Sequence, residues 1–147
     1  MIKRYLVIGI ILLFIFMSIN PSFAVDNVKK SSTPISNGNT LYVGGDGPNN
    51  YTRIQDAINN ANNGDTVFVF NGTYHENHIL VDKTLNLIGE DKFTTIIDGG
   101  EGGDILYIIA DNVCLNGFTF QRSGGNNTEA IHQSRCDNSI ITDNIIQ

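Results

Sequence analysis

The chain lacks the short motifs that mark many catalytic sites. It has no Gly-x-Ser-x-Gly elbow for a serine nucleophile, no Cys-x-x-Cys pair, no zinc-finger spacing and no phosphate loop. Positive charge is scarce. Nine lysines and arginines face 15 aspartates and glutamates, for a formal net charge of −6. An acidic chain without basic clusters is repelled by phosphate backbones, which argues against nucleic acid as a partner. Cysteine is nearly absent, with only Cys114 and Cys136. The 147 residues leave room for one domain and a tail.

One long apolar run is present, and it lies at the start. Met1-Ile2-Lys3-Arg4 carries two positive charges, Tyr5 to Ile19 is uncharged and apolar, and Ser22-Phe23-Ala24 has small residues at its first and third positions. The run has the length of a signal-peptide core and is short for a spanning helix, which needs about 20 residues. Cleavage after Ala24 is expected, with residues 1–24 as signal peptide; the alternative is an uncleaved anchor. Both place the rest outside the cytoplasm, secreted or at the cell surface, touching membrane only through this segment. Losing Lys3 and Arg4 leaves seven basic residues against 15 acidic ones. Residues 25–39 are polar and turn-rich, and read as a flexible linker.

The remainder, residues 40–147, is organised by a repeat. Asp111 to Gln121 returns as Asp137 to Gln147 at an offset of 26, with Asp-Asn at the head and Gln at the tail of both copies. Lys83 to Gly89 is a looser copy, 28 residues before Asp111 to Gly117. A strand-rich period of this length predicts a coil that stacks on itself: an all-β, parallel β-helix with three strands per coil. Short runs rich in β-branched and aromatic residues fit, each closed by Gly, Asn or Asp: Leu41 to Val43, Thr66 to Phe70, His78 to Val81, Thr84 to Ile88, Thr94 to Ile97 and Ile105 to Ile109. One helix precedes most of them. Thr52 to Gln55 fits a capping box, and Ile54, Ala57, Ile58 and Ala61 form one apolar stripe. Such a helix is a candidate N-terminal cap over the open end of the coil. The sequence closes at Ile145-Ile146-Gln147 inside a predicted strand, so an incomplete domain or end-to-end stacking on a partner is expected there.

Export makes a disulfide chemically possible, but the repeat argues against one. Cys136 aligns with Ala110, four residues before Cys114. Along a strand that is about 13 Å, whereas bridged Cα atoms lie within about 7 Å.

The run Thr52-Arg53-Ile54-Gln55-Asp56-Ala57-Ile58, then Gly64-Asp65-Thr66-Val67-Phe68-Val69 and Gly72-Thr73-Tyr74-His75-Glu76, is distinctive. With Leu85 to Gly89 and Thr95 to Gly99 it resembles the start of pectin-lyase-like, right-handed parallel β-helix proteins. That superfamily includes pectate lyases, pectin methylesterases, the periplasmic NosD-type copper accessory proteins and many archaeal and bacterial surface proteins. The resemblance spans about Thr40 to Gln147 and implies the fold. It implies little about activity, because the same opening serves enzymes and non-enzymes. The enzymes' catalytic carboxylates and arginine lie in later coils, and no motif here matches them, so catalytic residues stay unassigned.

Several residue groups have both a functional and an ordinary reading. His75 and His78, with Glu76 between, could hold copper. On a strand, however, an offset of three puts the rings on opposite faces, which favours plain surface histidines. His132 stands alone. Gly99-Gly100-Glu101-Gly102-Gly103-Asp104 fits a calcium-repeat pattern, with Asp98, Glu101 and Asp104 as oxygen ligands. A single copy supplies half a site, and a glycine-rich corner explains the same residues. No cofactor is required; calcium is the one entertained. Asn50, Asn71 and Asn126 head glycosylation sequons, Asn126 in the most loop-like setting. Tyr42, Tyr74 and Tyr107 could stack on sugars, although strand aromatics more often pack.

The expectation is an exported, non-catalytic module that presents a repeat surface to polysaccharide or to a cell-envelope protein. A fragment of a polysaccharide lyase or esterase is the alternative, and a copper accessory protein a further one.

Overall fold

A computed structural model describes residues 38–147. The segment read as a signal peptide, and residues 25–37 of the linker, lie outside the described residues. The chain runs β1 (Thr40–Val43), α1 (Ile54–Asn60), β2 (Thr66–Val69), β3 (Gly72–His75), β4 (Ile79–Val81), β5 (Asn86–Gly89), β6 (Thr95–Asp98), β7 (Leu106–Ile108), β8 (Cys114–Asn116), β9 (Thr119–Gln121), β10 (Ile131–Gln133), β11 (Ile140–Ile141) and β12 (Ile145–Ile146).

The strands form three parallel sheets. The first has the order β1-β2-β5-β8-β11, the second β12-β9-β6-β3 and the third β10-β7-β4. Each turn of chain lays one strand on each sheet, so the molecule is a parallel β-solenoid. The repeat read from sequence is the stacking register. Cys114 pairs with Ile140 and Phe120 with Ile146, both 26 residues on, and Asn86 pairs with Cys114, 28 on. Coil length is not uniform. Thr66 pairs with Asn86 at an offset of 20, and Asp98 with Gln121 at 23. Corners absorb the difference.

Alternation decides what fills the interior. Val67, Leu87 and Leu115 form one fully buried row, joined by Ile97 and Phe120 from the second sheet and by Ile79, Leu106 and Ile108 from the third. Each such side chain contributes roughly 1.5–3 kcal/mol by leaving water.

Corners need backbone conformations that few residues tolerate. Asn112 and Asn138 share a φ near +55°, and Gly117 (+83°) corresponds to Asp143 (+55°) one coil on. The Asp-Asn head of the repeat therefore encodes a left-handed corner. Side chains clamp neighbouring coils there. Asp111 Oδ1 accepts the Asp137 N–H at 2.6 Å, and Asn144 Oδ1 accepts the Phe118 N–H at 3.0 Å. Asp65 accepts the Asn39 and Asn62 N–H groups at 2.8 and 2.7 Å, and these bonds hold its carboxyl below the usual range against the effect of burial.

The helix buries Ile54, Ala57 and Ile58 as its stripe predicted, but the capping box does not form. Arg53 occupies the N-cap position with no side-chain cap. Glu76, from the corner after β3, accepts the Ile54 N–H at 2.7 Å and the Gln55 N–H at 3.2 Å. A carboxylate from the next turn outcompetes the local threonine because it reaches two donors and carries charge toward the positive helix end. Gln55 is thereby free for another role. Its side chain bonds both the N–H (2.7 Å) and the C=O (3.3 Å) of Leu80, occupying the edge of β4. Tyr51 similarly pairs with β1, through Tyr42 O and the Gly44 N–H.

Both cysteines are free, as the register required: Cys114 is buried in the outward row of the first sheet and Cys136 half-buried.

Candidate functional site

Polar side chains with unusual environments gather at the corners joining the second and third sheets. On the second sheet His75, Asp98 and Gln121 stack in register. They alternate with the core residues Ile97 and Phe120 and therefore sit on the outward side. Asp98 is nevertheless only 5% exposed. Arg122 explains this. Its φ of +52° turns the chain at the end of β9 and brings its side chain back over Asp98. Arg122 Nε donates to Oδ1 and Nη2 to Oδ2, both at 2.7 Å. Gln121 Nε2 and the Gly100 N–H each add a bond at 3.0 Å. With four donors, Arg122 foremost, the Asp98 carboxyl is held down at about 2 although burial pushes the other way. His75 Nδ1 lies 3.7 Å from Oδ2 at the rim.

The third sheet carries a second cluster. Leu80, Tyr107 and His132 share the outward row. His78, at φ +53° just before β4, stacks on Tyr107 with centroids 6.0 Å apart and planes 12° from parallel. His132 packs against Tyr107 at 5.4 Å. Asp104 Oδ1 accepts the Glu129 N–H at 2.7 Å. That bond, then one from the Tyr107 hydroxyl, keeps the Asp104 carboxyl below the usual range, and the same hydroxyl contact raises Tyr107. His132 Nδ1 stands 3.1 Å from Glu129 Oε2 and 4.0 Å from Asp104 Oδ2. The result is a strip of ring edges bordered by two carboxylates.

The three acids considered for calcium face different partners. Asp98 engages Arg122, Asp104 engages Glu129 and Tyr107, and Glu101 sits at φ +61° with its N–H on Arg122 O. Loop carbonyls are engaged as well: Gly99 O accepts Asn77 Nδ2 at 3.0 Å, and Gly103 O accepts the Gly124 N–H at 3.1 Å. His75 and His78 diverge, the first toward Asp98 and the second onto Tyr107. Among the described residues, no group of three or more His, Cys, Asp or Glu is arranged to hold a metal ion. Of the sequon residues, Asn71 and Asn126 are exposed, whereas the Asn50 amide donates to Gly44 O at 2.6 Å.

The three tyrosines point in three directions. Tyr42 lies outside the first sheet against Phe68 and Phe70. Tyr74 turns inward, its hydroxyl on Phe70 O at 2.8 Å. Tyr107 lies outside the third sheet. They form no common platform: Tyr42 packs against Phe68 and Phe70, Tyr74 turns inward, and Tyr107 stands with His78 and His132.

Sequence reasoning missed Arg122 and the link from Tyr107 to Asp104, His132 and Glu129. The offset of 23 that stacks Asp98 under Gln121 differs from the visible repeats at 26 and 28, so nothing in the pattern brought Arg122 to Asp98.

Comparisons with known proteins find no family model, no curated protein and no solved structure that matches the chain.

Proposed function

We propose that this protein is an exported, non-catalytic β-solenoid module that offers its outward strip to a polysaccharide of the cell surface. The observation that carries the reading is the Leu80–Tyr107–His132 row with Asp104 and Glu129 at its border. Leu80, Tyr107 and His132 lie on strands, which hold a contact surface more rigidly than loops do, and the acceptors Asp104 and Glu129 stand in the corners just before those strands. Ionised carboxylates favour hydroxyl-rich or amine-bearing sugars over acidic ones. A glycan array probed with the purified chain tests this. Binding that falls in a His132→Ala, Glu129→Ala variant is expected; silence across neutral, cationic and acidic glycans would remove the carbohydrate part and leave an envelope-protein contact.

The enzymatic alternative draws on Asp98, Arg122, His75 and Gln121, which cluster on one outward face. A carboxylate held by its arginine is a poor proton acceptor near neutral pH, so the geometry favours the binding reading. Release of unsaturated or de-esterified products from pectic substrates, abolished in Arg122→Ala, would reverse that order.

A further inference from the structure

The solenoid's N-terminal side has three edge strands, and they are treated differently. Tyr51 pairs with β1, and Gln55 occupies β4. The third, β3, is open. In a parallel ladder successive residues serve opposite neighbours. The Gly72 N–H bonds Thr94 O at 2.8 Å on the β6 side, so Gly72 and Tyr74 face β6 while Thr73 and His75 turn their N–H and C=O groups the other way. Among the described residues no backbone group meets them there, and both residues are exposed. Unpaired strand edges template further strands, and proteins guard them with lysine, proline, bulges or a covering segment. The four-residue stretch Gly72-Thr73-Tyr74-His75 has no lysine or proline, and among the described residues no strand pairs with its outer edge.

We propose that β3 is a self-association edge, pairing antiparallel with β3 of a second copy of this chain across a two-fold axis. The strand suits its own image. With Tyr74 on the axis, Thr73 of each copy lies opposite His75 of the other, and each such pair exchanges two backbone hydrogen bonds. Charge does not oppose the approach locally, although the whole chain is acidic. Glu76, just beyond the strand, is committed to the helix N–H groups with Arg53 3.8 Å away, and Asp98 on the neighbouring strand is paired with Arg122. Neither carboxylate confronts its symmetry mate as a free charge. The two-fold match of Thr73 with His75 satisfies all four edge groups with a second copy, and no free carboxylate opposes its mate.

Sedimentation of the full chain over a range of concentrations, with hydrogen exchange read at single amides, tests the proposal. A reversible dimer is expected, with the Thr73 and His75 amides exchanging at least tenfold more slowly at the concentrations where it forms. The double variant Thr73→Asp, His75→Asp should be monomeric with an unchanged far-ultraviolet spectrum, because it sets carboxylates against carboxylates. Mixing it with Thr73→Lys, His75→Lys should restore a dimer of the two kinds. A chain that stays monomeric at every concentration would overturn the inference. So would a dimer that the charged variants leave intact, or one that forms with both amides still exchanging fast.

Discussion

Glu76 Oε1 lies 2.7 Å from the Ile54 N–H, so the helix is closed by a residue 22 positions later in the chain. Its side chain is almost fully buried, and Glu76→Ala leaves two helix N–H groups without their acceptor. A loss of about 1–2 kcal/mol is expected, in the range of other lost caps. Urea denaturation checks it, and Thr52→Ala, which removes the sequence's apparent cap, should change the midpoint far less.

The Asp98–Arg122 pair predicts an acid limb in the stability profile. Asp98 titrates at about 2 in the folded chain against an ordinary 3.8. Its folded value is depressed, so its contribution is fully present above pH 4 and is lost as pH falls toward 2. Asp98→Asn should flatten that part of a thermal-midpoint profile measured from pH 5 to 2. Should the variant and the parent lose stability in parallel over this window, the pair is not the source.

Removing the arginine at neutral pH probes the same contact from the other side. Arg122→Ala leaves a carboxylate, 5% exposed, without its main partner. A cost of about 2–3 kcal/mol is expected, since an abandoned buried charge is more expensive than the pair was favourable.

Gly117 is tied to Gly89 by proximity. A Cβ added at Gly117 would meet Gly89 O at 2.3 Å, and the φ of +83° already disfavours any other residue. Gly117→Ala should cost more than about 2 kcal/mol, whereas Asp143→Ala at the matching corner of the next coil should cost less than 1 kcal/mol. Comparing the two by chemical denaturation separates close backbone approach from the left-handed conformation they share, since the exposed Lys92–Asp143 pair lost in the second variant contributes little.

Calcium offers a test of the glycine-rich corner. Asp98, Glu101 and Asp104 point to separate partners, so millimolar calcium, enough for a weak extracellular-type site, should leave the thermal midpoint unchanged in the parent chain. A clear rise would mean that Arg122 releases Asp98 to the ion.

The architecture was legible because it rests on periodicity. Asp111-Asn112 and Asp137-Asn138 recur at the spacing of one coil, and stacking identical corners is the simplest way a strand-rich chain buries its apolar rows. That periodicity determined by itself the parallel stacking and the pairs Cys114 with Ile140 and Phe120 with Ile146, and the apolar stripe from Ile54 to Ala61 marked the helix. The closing of the helix by Glu76, the folding of Arg122 over Asp98, the grouping of His78, Tyr107 and His132, and the open edge at β3 were decided only by the tertiary structure. Each depends on how far successive coils differ in length, from 20 residues to 28, with 27 and 25 in the third sheet. Corner loops set those lengths. A loop residue carries no periodic signal, so its neighbour across the stack is known only once the coils lie on one another.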